Sequence, residues 1–178
     1  MVPHYSFCRS VLEQMRTYSL HADGIVVEGG DMTPRTYLWE EIRRVHLKYE
    51  HTKQREYYQC FIHTTSGRLD LRHVSYVSFA KFEDRRATYT PFVKALLAEV
   101  ARRPGVELKA GSMVNFIAAL IGVPLMAGLA WLCFSLGRFE LAIFAAFIGG
   151  IALLMIPRSR PRKLDPLNPP DDLLPPPA

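Results

Sequence analysis

Charge is missing where its absence says most. From 113 to 134 the chain carries no formal charge, with Asn115 as the one strongly polar side chain, and from 141 to 156 it again carries none. Ionisable groups within such runs mark proton and ion paths, so their absence argues against a proton pathway, an ion transporter or a charged-substrate carrier. Cysteine is scarce as well. Cys8, Cys60 and Cys133 lie far apart, with no C-x-x-C pair, which leaves no disulfide framework and fits a reducing compartment. The sequence also lacks a G-x-S-x-G elbow, an H-E-x-x-H pair, a phosphate-cradling glycine loop and a dinucleotide fingerprint. His46, His63 and His73 have no local ligand spacing. Glu83-Asp84 followed by Arg85-Arg86 reads as a surface salt-bridge cluster. No catalytic residue, cofactor, metal or small-molecule substrate is expected, and the chain reads as a non-enzyme. Residues 1–20 lack a continuous apolar core followed by a small-residue cleavage site, so no signal peptide is expected.

What is present is concentrated. Of 178 residues 49% are hydrophobic, yet mean hydropathy is near zero, because the apolar residues crowd into one third of the chain. The run 113–134 would make about 33 Å of helix, enough for a hydrocarbon core of about 30 Å. The run 141–156 would make about 24 Å and can span if the bilayer thins or flanking residues snorkel. Ser135 to Glu140, with Gly137 and Arg138, form a short outer loop, so the expectation is a two-span transmembrane hairpin. Basic residues flank its outer ends: Arg102, Arg103 and Lys109 before, and Arg158, Arg160, Arg162 and Lys163 after. The positive-inside rule then places both termini in the cytoplasm. These residues also account for much of the net charge of +5, so no nucleic-acid partner is inferred. Ala118 and Gly122 on one span, and Ala142, Ala146 and Gly150 on the other, form small-residue stripes suited to close helix packing. Pro124 is placed to kink the first span.

Ahead of the hairpin lies soluble material. In segment 1–16, Phe7, Val11, Leu12 and Met15 have the spacing of a short amphipathic helix. Strand patterns follow around the Asp23-Gly24 turn. Val45, Leu47 and Tyr49 alternate with polar neighbours, as do Tyr58, Cys60 and Ile62, and then Leu69 and Leu71. Phe79 and Phe82 are expected to bury. Arg43, Arg44, Lys48, Lys53 and Arg55 are interleaved with Glu40, Glu41, Glu50 and Glu56, which favours a solvated mixed-charge face. Thr90 as N-cap with Pro91 at the first helical position begins a helix, whose stripe is Phe92, Val93, Leu96, Leu97 and Val100. Short strands followed by one amphipathic helix predict an α+β domain: a small bent sheet or partly open barrel plugged by that helix.

The Asp23-Gly24 hairpin, the stretch Tyr37-Leu38-Trp39-Glu40-Glu41-Ile42-Arg43-Arg44-Val45 and the closing helix resemble the bacterial pleckstrin-homology-like domains over about Thr17 to Arg103, within an expected domain of 17–105. The resemblance implies a non-enzymatic platform for lipid headgroups or protein partners. A linker, 106–112, would join this domain to the hairpin. Behind the hairpin, segment 157–178 holds eight of the chain's 13 prolines and is expected to be extended and solvated. Leu164, Leu167, Leu173 and Leu174, beside acidic residues, are candidate partner-binding positions. The expected function is a bacterial inner-membrane adaptor or accessory subunit, with the bilayer and a membrane-protein partner or a second copy as partners. A lipid-sensing or membrane-organising module is the alternative, and an oligomeric pore or membrane-disrupting effector a further one.

Overall fold

The computed structural model describes residues 2–29, 33–51, 56–78, 81–166, 168–170 and 173–176, apart from the side chains at 51, 155 and 158. Phe79, Lys53, Arg55 and Leu167 thus lie outside the described residues. The chain is mixed α+β, with sheets and, among the described residues, three α-helices, and falls into two compact units, Met1–Ala110 with Lys163–Ala178, and Gly111–Arg162.

In the first unit a four-stranded antiparallel sheet runs in sequence order through β1 (His4–Phe7), β2 (Arg16–Leu20), β3 (Gly24–Glu28) and β4 (Arg35–Leu38). The expected N-terminal helix is therefore corrected to a strand and a loop. Tyr5 and Phe7 are buried, because β1 pairs with β2 from His4↔Ser19 to Phe7↔Arg16. Val11, Leu12 and Met15 are instead exposed in the loop, Leu12 to 95%. The β2–β3 turn is the one read from Asp23-Gly24: His21 N donates to Gly24 O at 2.8 Å. Gly24 is required there, since a Cβ would stand 2.2 Å from the Tyr37 carbonyl oxygen.

A 3-10 turn, Trp39–Glu41, leads into the second sheet. Its strands are β5 (Ile42–His51), β6 (Glu56–Thr64), β7 (Gly67–Arg72), β10 (Glu107–Ala110) and β11 (Arg162–Lys163), ordered β11-β10-β5-β6-β7, with β10 parallel to β5. The strands β8 (Val74–Ser78) and β9 (Lys81–Asp84) form a separate hairpin. Phe82 on it is 39% exposed, against the expectation of burial. The alternation read from the sequence holds on the inner face, where Val45, Leu47, Cys60, Ile62 and Leu71 are fully buried.

Helix α1 (Arg86–Ala101) closes the core with Tyr89, Phe92, Val93, Leu96, Leu97 and Val100, all at most 2% exposed. It begins a turn earlier than Thr90-Pro91 implied. Asp84 accepts the Arg86 amide at 2.9 Å and so satisfies one of the free donors of the first turn. Pro91 then lies inside the helix.

The second unit is a helical hairpin of α2 (Met113–Ser135) and α3 (Phe139–Ser159) packed along each other. Ser112 caps α2 by accepting the Asn115 amide. Gly137, at φ +71°, makes the turn, and Arg138 N bonds back to Cys133 O at 2.8 Å, the six-to-one bond of a Schellman ending. The turn is consequently shorter than 135–140, and α3 longer than 141–156. Of the expected small-residue stripes, Ala142 is buried, Gly122 half-buried, and Ala118, Ala146 and Gly150 exposed. The packing line is corrected by one residue: Ala119, Ala142 and Ala145 are buried, and a Cβ on Gly149 would stand 3.2 Å from Met126 Cβ. Among the described residues α2 alone is long and apolar enough to cross a membrane, with almost none of it buried; the shorter apolar stretch in α3 is Phe139–Leu154.

The proline-rich tail departs most from its reading. Leu164, Leu173 and Leu174 are buried in the first unit, Leu173 completely. Leu164 N donates to Leu108 O at 3.2 Å, and Leu173 N to Pro170 O at 3.0 Å. Burying a leucine gains about 1.5–3 kcal/mol, while ordering each residue costs about 1–2 kcal/mol. Docking of 173–175 is therefore close to balance. Proline lowers that cost by restricting the undocked chain, which is how so polar and proline-rich a segment can fold back.

Leu97→Ala should destabilise the domain by about 2–5 kcal/mol, whereas Leu12→Ala should change it by no more than about 0.5 kcal/mol. Urea denaturation followed by tryptophan fluorescence would check both. Comparable losses at the two positions would contradict the packing described.

Candidate interaction face

Because one face of the second sheet is buried against α1 and the first sheet, alternation turns the other set of side chains outward. Register stacks these into three rungs. Glu107, Arg44, His63 and Arg68 form one, and Lys109, His46, Phe61 and Asp70 the next. Lys48, Gln59 and Arg72 form the third. With Glu50, which lies beyond Lys48 on the same face, five cations thus stand against three carboxylates on a surface four strands wide.

The carboxylates are already engaged. Glu107 accepts Arg44 Nε at 2.5 Å and pairs with Lys109 Nζ at 2.7 Å, which holds its carboxyl below the usual range. Asp70 accepts Arg72 at 2.9 Å and lies 3.9 Å from Arg9 Nε. Lys48 pairs with Glu50 on its own strand. At the centre, the Arg68 guanidinium sits 4.9 Å from the Phe61 ring centroid and His46 lies 6.2 Å from it. Arginine above an aromatic face keeps its donors free at the edge. Burial first, then Arg44, Arg68 and His46, lower the pKa of His63 from its ordinary 6.5. A neighbouring anion would reverse the last three influences.

Two hollows flank this sheet. Phe7, Arg9, Glu13, Arg16, Tyr18, Arg68, Leu69 and Asp70 line one of about 40 Å³; the loop that supplies Arg9 and Glu13 also carries the exposed Val11, Leu12 and Met15. A larger cleft of about 330 Å³ has Glu56, Tyr58, His73, Phe82, Asp84 and Arg86 around it. His73 is buried there, its Nδ1 accepting the Tyr58 amide at 3.1 Å, and burial lowers its pKa. Burial of Asp84 opposes ionisation, but hydrogen bonds from the Arg86 side chain and amide outweigh it and hold the carboxyl low. His73 therefore does not join His46 and His63, and no group of three His, Cys, Asp or Glu among the described residues could hold a metal.

The flanking basic residues fare differently from one another. Arg102 and Arg103 both pair with Glu99. Arg103 also lies 4.5 Å from the Trp39 ring centroid and donates to Ala22 O at 3.3 Å. It is thus part of the domain's closure, together with Trp39 Nε1, which donates to His21 O at 3.0 Å. Lys109 belongs to the basic face, Arg160 and Lys163 are exposed, and Arg162 is half-buried.

For both His63 and His73 the folded chain disfavours the proton relative to the unfolded one. Their contribution to stability is complete above pH 6.5 and is lost as pH falls through the lowered folded values. Urea midpoints should fall between pH 7.5 and pH 5. In an NMR titration the His63 midpoint should lie below 6.5 and rise in Arg68→Gln, which removes one like charge; a midpoint insensitive to Arg68 would contradict the rung geometry. Compared with known proteins, the chain matches no family model, no curated protein and no solved structure.

Proposed function

We propose that this chain is a non-catalytic membrane adaptor or accessory subunit. Its pleckstrin-homology-like domain binds an acidic cytoplasmic segment of a partner membrane protein through the basic sheet face. The observation that carries this reading is the three-rung surface itself. Its cations outnumber its carboxylates, those carboxylates are internally paired, and an aromatic ring lies at the centre, the composition expected of an interface for anionic groups.

The anchoring follows from the hairpin. Helix α2 is long enough to cross, and α3, held beside it by the short turn at Gly137, returns across the bilayer. The apolar part of α3 reaches about 24 Å and needs slight thinning of the bilayer. Basic residues at the outer ends of the hairpin put both termini in the cytoplasm, as at a bacterial inner membrane. The strand order, two sheets closed by α1, supports the pleckstrin-homology-like assignment.

A second reading, direct contact with anionic lipid, is favoured by one separate observation. Arg9, Arg16 and Arg68 line the small hollow with Glu13 and Asp70, and Val11, Leu12 and Met15 are exposed on the loop beside it, an excess of cations next to apolar side chains suited to a headgroup boundary.

Crosslinking in native membranes should capture a stoichiometric companion with the wild-type chain and at least about tenfold less with the Arg44→Glu/Arg68→Glu/Lys109→Glu variant, a loss of about 1.4 kcal/mol or more. The same yield from both would sink the adaptor reading. For the lipid reading, Leu12→Trp in nanodiscs should show a blue-shifted emission that depends on anionic lipid; identical spectra in neutral and anionic discs would remove it.

A further inference from the structure

Histidine is the side chain whose charge changes near neutral pH, and the basic face carries two, His63 on β6 and His46 on β5. His63 stands opposite Arg44 on β5 and opposite Arg68 on β7. Neighbouring strands are about 4.8 Å apart, which puts the two arginine Cα atoms about 9.6 Å apart with the imidazole between them. Arg68 is exposed, and Arg44 and His63 are half-buried. His46 and Asp70 are the diagonal neighbours, and Arg43 is exposed at the β5 bulge. Each carboxylate nearby already has a partner. Asp70 is committed to Arg72 and Arg9, and Glu107 to Arg44 and Lys109. Glu41, whose carbonyl accepts the Thr65 amide at 2.9 Å, turns its carboxylate to the Leu38 amide at 3.0 Å. His63 is thus flanked by cations with no counter-ion of its own.

We infer that the rung Arg44–His63–Arg68 seats a carboxylate of the partner's acidic segment, and that seating it draws a proton from solvent onto His63, so the partner is held more tightly as pH falls. The assignment rests on the basic face being the interface proposed above. Without a partner, burial, Arg44, Arg68 and His46 all oppose a charge on His63. A carboxylate between the arginines offsets the three charges and supplies the missing counter-ion. By linkage, a partner that raises the proton affinity of His63 is itself bound more tightly, by the same factor, once His63 is protonated. A rise of one pKa unit is a tenfold coupling, of which about fivefold falls between pH 7.5 and pH 5.5. Outward residues of β6 recur about every 6.6 Å, as do alternate residues of an extended peptide. A segment acidic at every second position therefore lies in register with the rungs. The strongly exposed large apolar side chains lie elsewhere, as at Val11 and Leu12, which favours a peptide over a lipid surface on this face.

The test uses the full chain in nonionic detergent micelles, at one low ionic strength because such contacts are screened by salt. The probe is a rhodamine-labelled peptide of alternating aspartate and serine, whose carboxylates stay ionised down to pH 5.5. Its dissociation constant, read by fluorescence anisotropy, should fall about fivefold from pH 7.5 to pH 5.5. In His63→Gln the same interval should tighten binding by less than about twofold. In the natural chain, saturating peptide should raise the His63 midpoint in an NMR titration by about one unit. If the Arg44→Glu/Arg68→Glu/Lys109→Glu variant binds the probe as well as the natural chain does, the interface reading fails and the proton coupling with it. If binding needs those residues but is equal at the two pH values, tightens as much in His63→Gln, or leaves the His63 midpoint in place, the proton coupling alone is overturned. No binding at either pH overturns it too, as does a midpoint raised by anionic-lipid nanodiscs without peptide, which would give the rung to the membrane.

Discussion

The hydrocarbon surface of the hairpin is the constraint on which the rest depends. On α2 alone, ten large apolar side chains from Met113 to Phe134 are more than one third exposed. Covering what remains exposed of them would gain about 9–18 kcal/mol, at about 1.5–3 kcal/mol for each side chain fully buried, comparable to the about 5–15 kcal/mol that stabilises an ordinary domain. A bilayer would cover them on all sides, and α2 is long and apolar enough to cross one. In sequence, β10 is followed within three residues by α2, and β11 begins within three residues of the end of α3.

In the domain, the closing helix and the Trp39 corner do most of the organising. The α1 stripe covers the inner faces of the sheets, which leaves their outward sets free to be polar. Trp39 accepts the Arg103 guanidinium over its ring and donates to His21 O, joining the β2–β3 turn, the start of the second sheet and the end of α1. A residue that looked like a membrane-flanking charge is therefore structural. The face opposite α1 acquires its character from register alone: Arg68 on β7 and Lys109 on β10 stand beside Arg44 and His46 only because the strands align as they do.

This explains what was legible in the sequence. Val45, Leu47 and Tyr49 announced a half-buried strand because a period of two is a local property. The stripe from Phe92 to Val100 and the hairpin turn at Gly137 were legible for the same reason. The start of α1 was obscured because Thr90-Pro91 imitates a helix beginning, whereas the amide of Arg86 is satisfied by Asp84. The spacing of Phe7, Val11, Leu12 and Met15 imitated a helix, but only pairing with β2 decides that Phe7 is in a strand. The basic face was hidden because Lys48 has Glu50 two residues on and Arg44 follows the Glu40-Glu41 pair, while three further cations, Arg68, Arg72 and Lys109, come from distant strands. The tail was misread because composition describes the undocked segment and says nothing of the surface awaiting Leu173.

The most direct measurement of the central claim, a cytoplasmic domain held by a two-span hairpin, is cysteine accessibility in intact expressing cells. In a Cys133→Ser background, Leu136→Cys at the turn should react with a membrane-impermeant maleimide added outside. Lys94→Cys on α1 should react only after permeabilisation. Labelling of both from outside, or of neither until permeabilisation, would contradict the account.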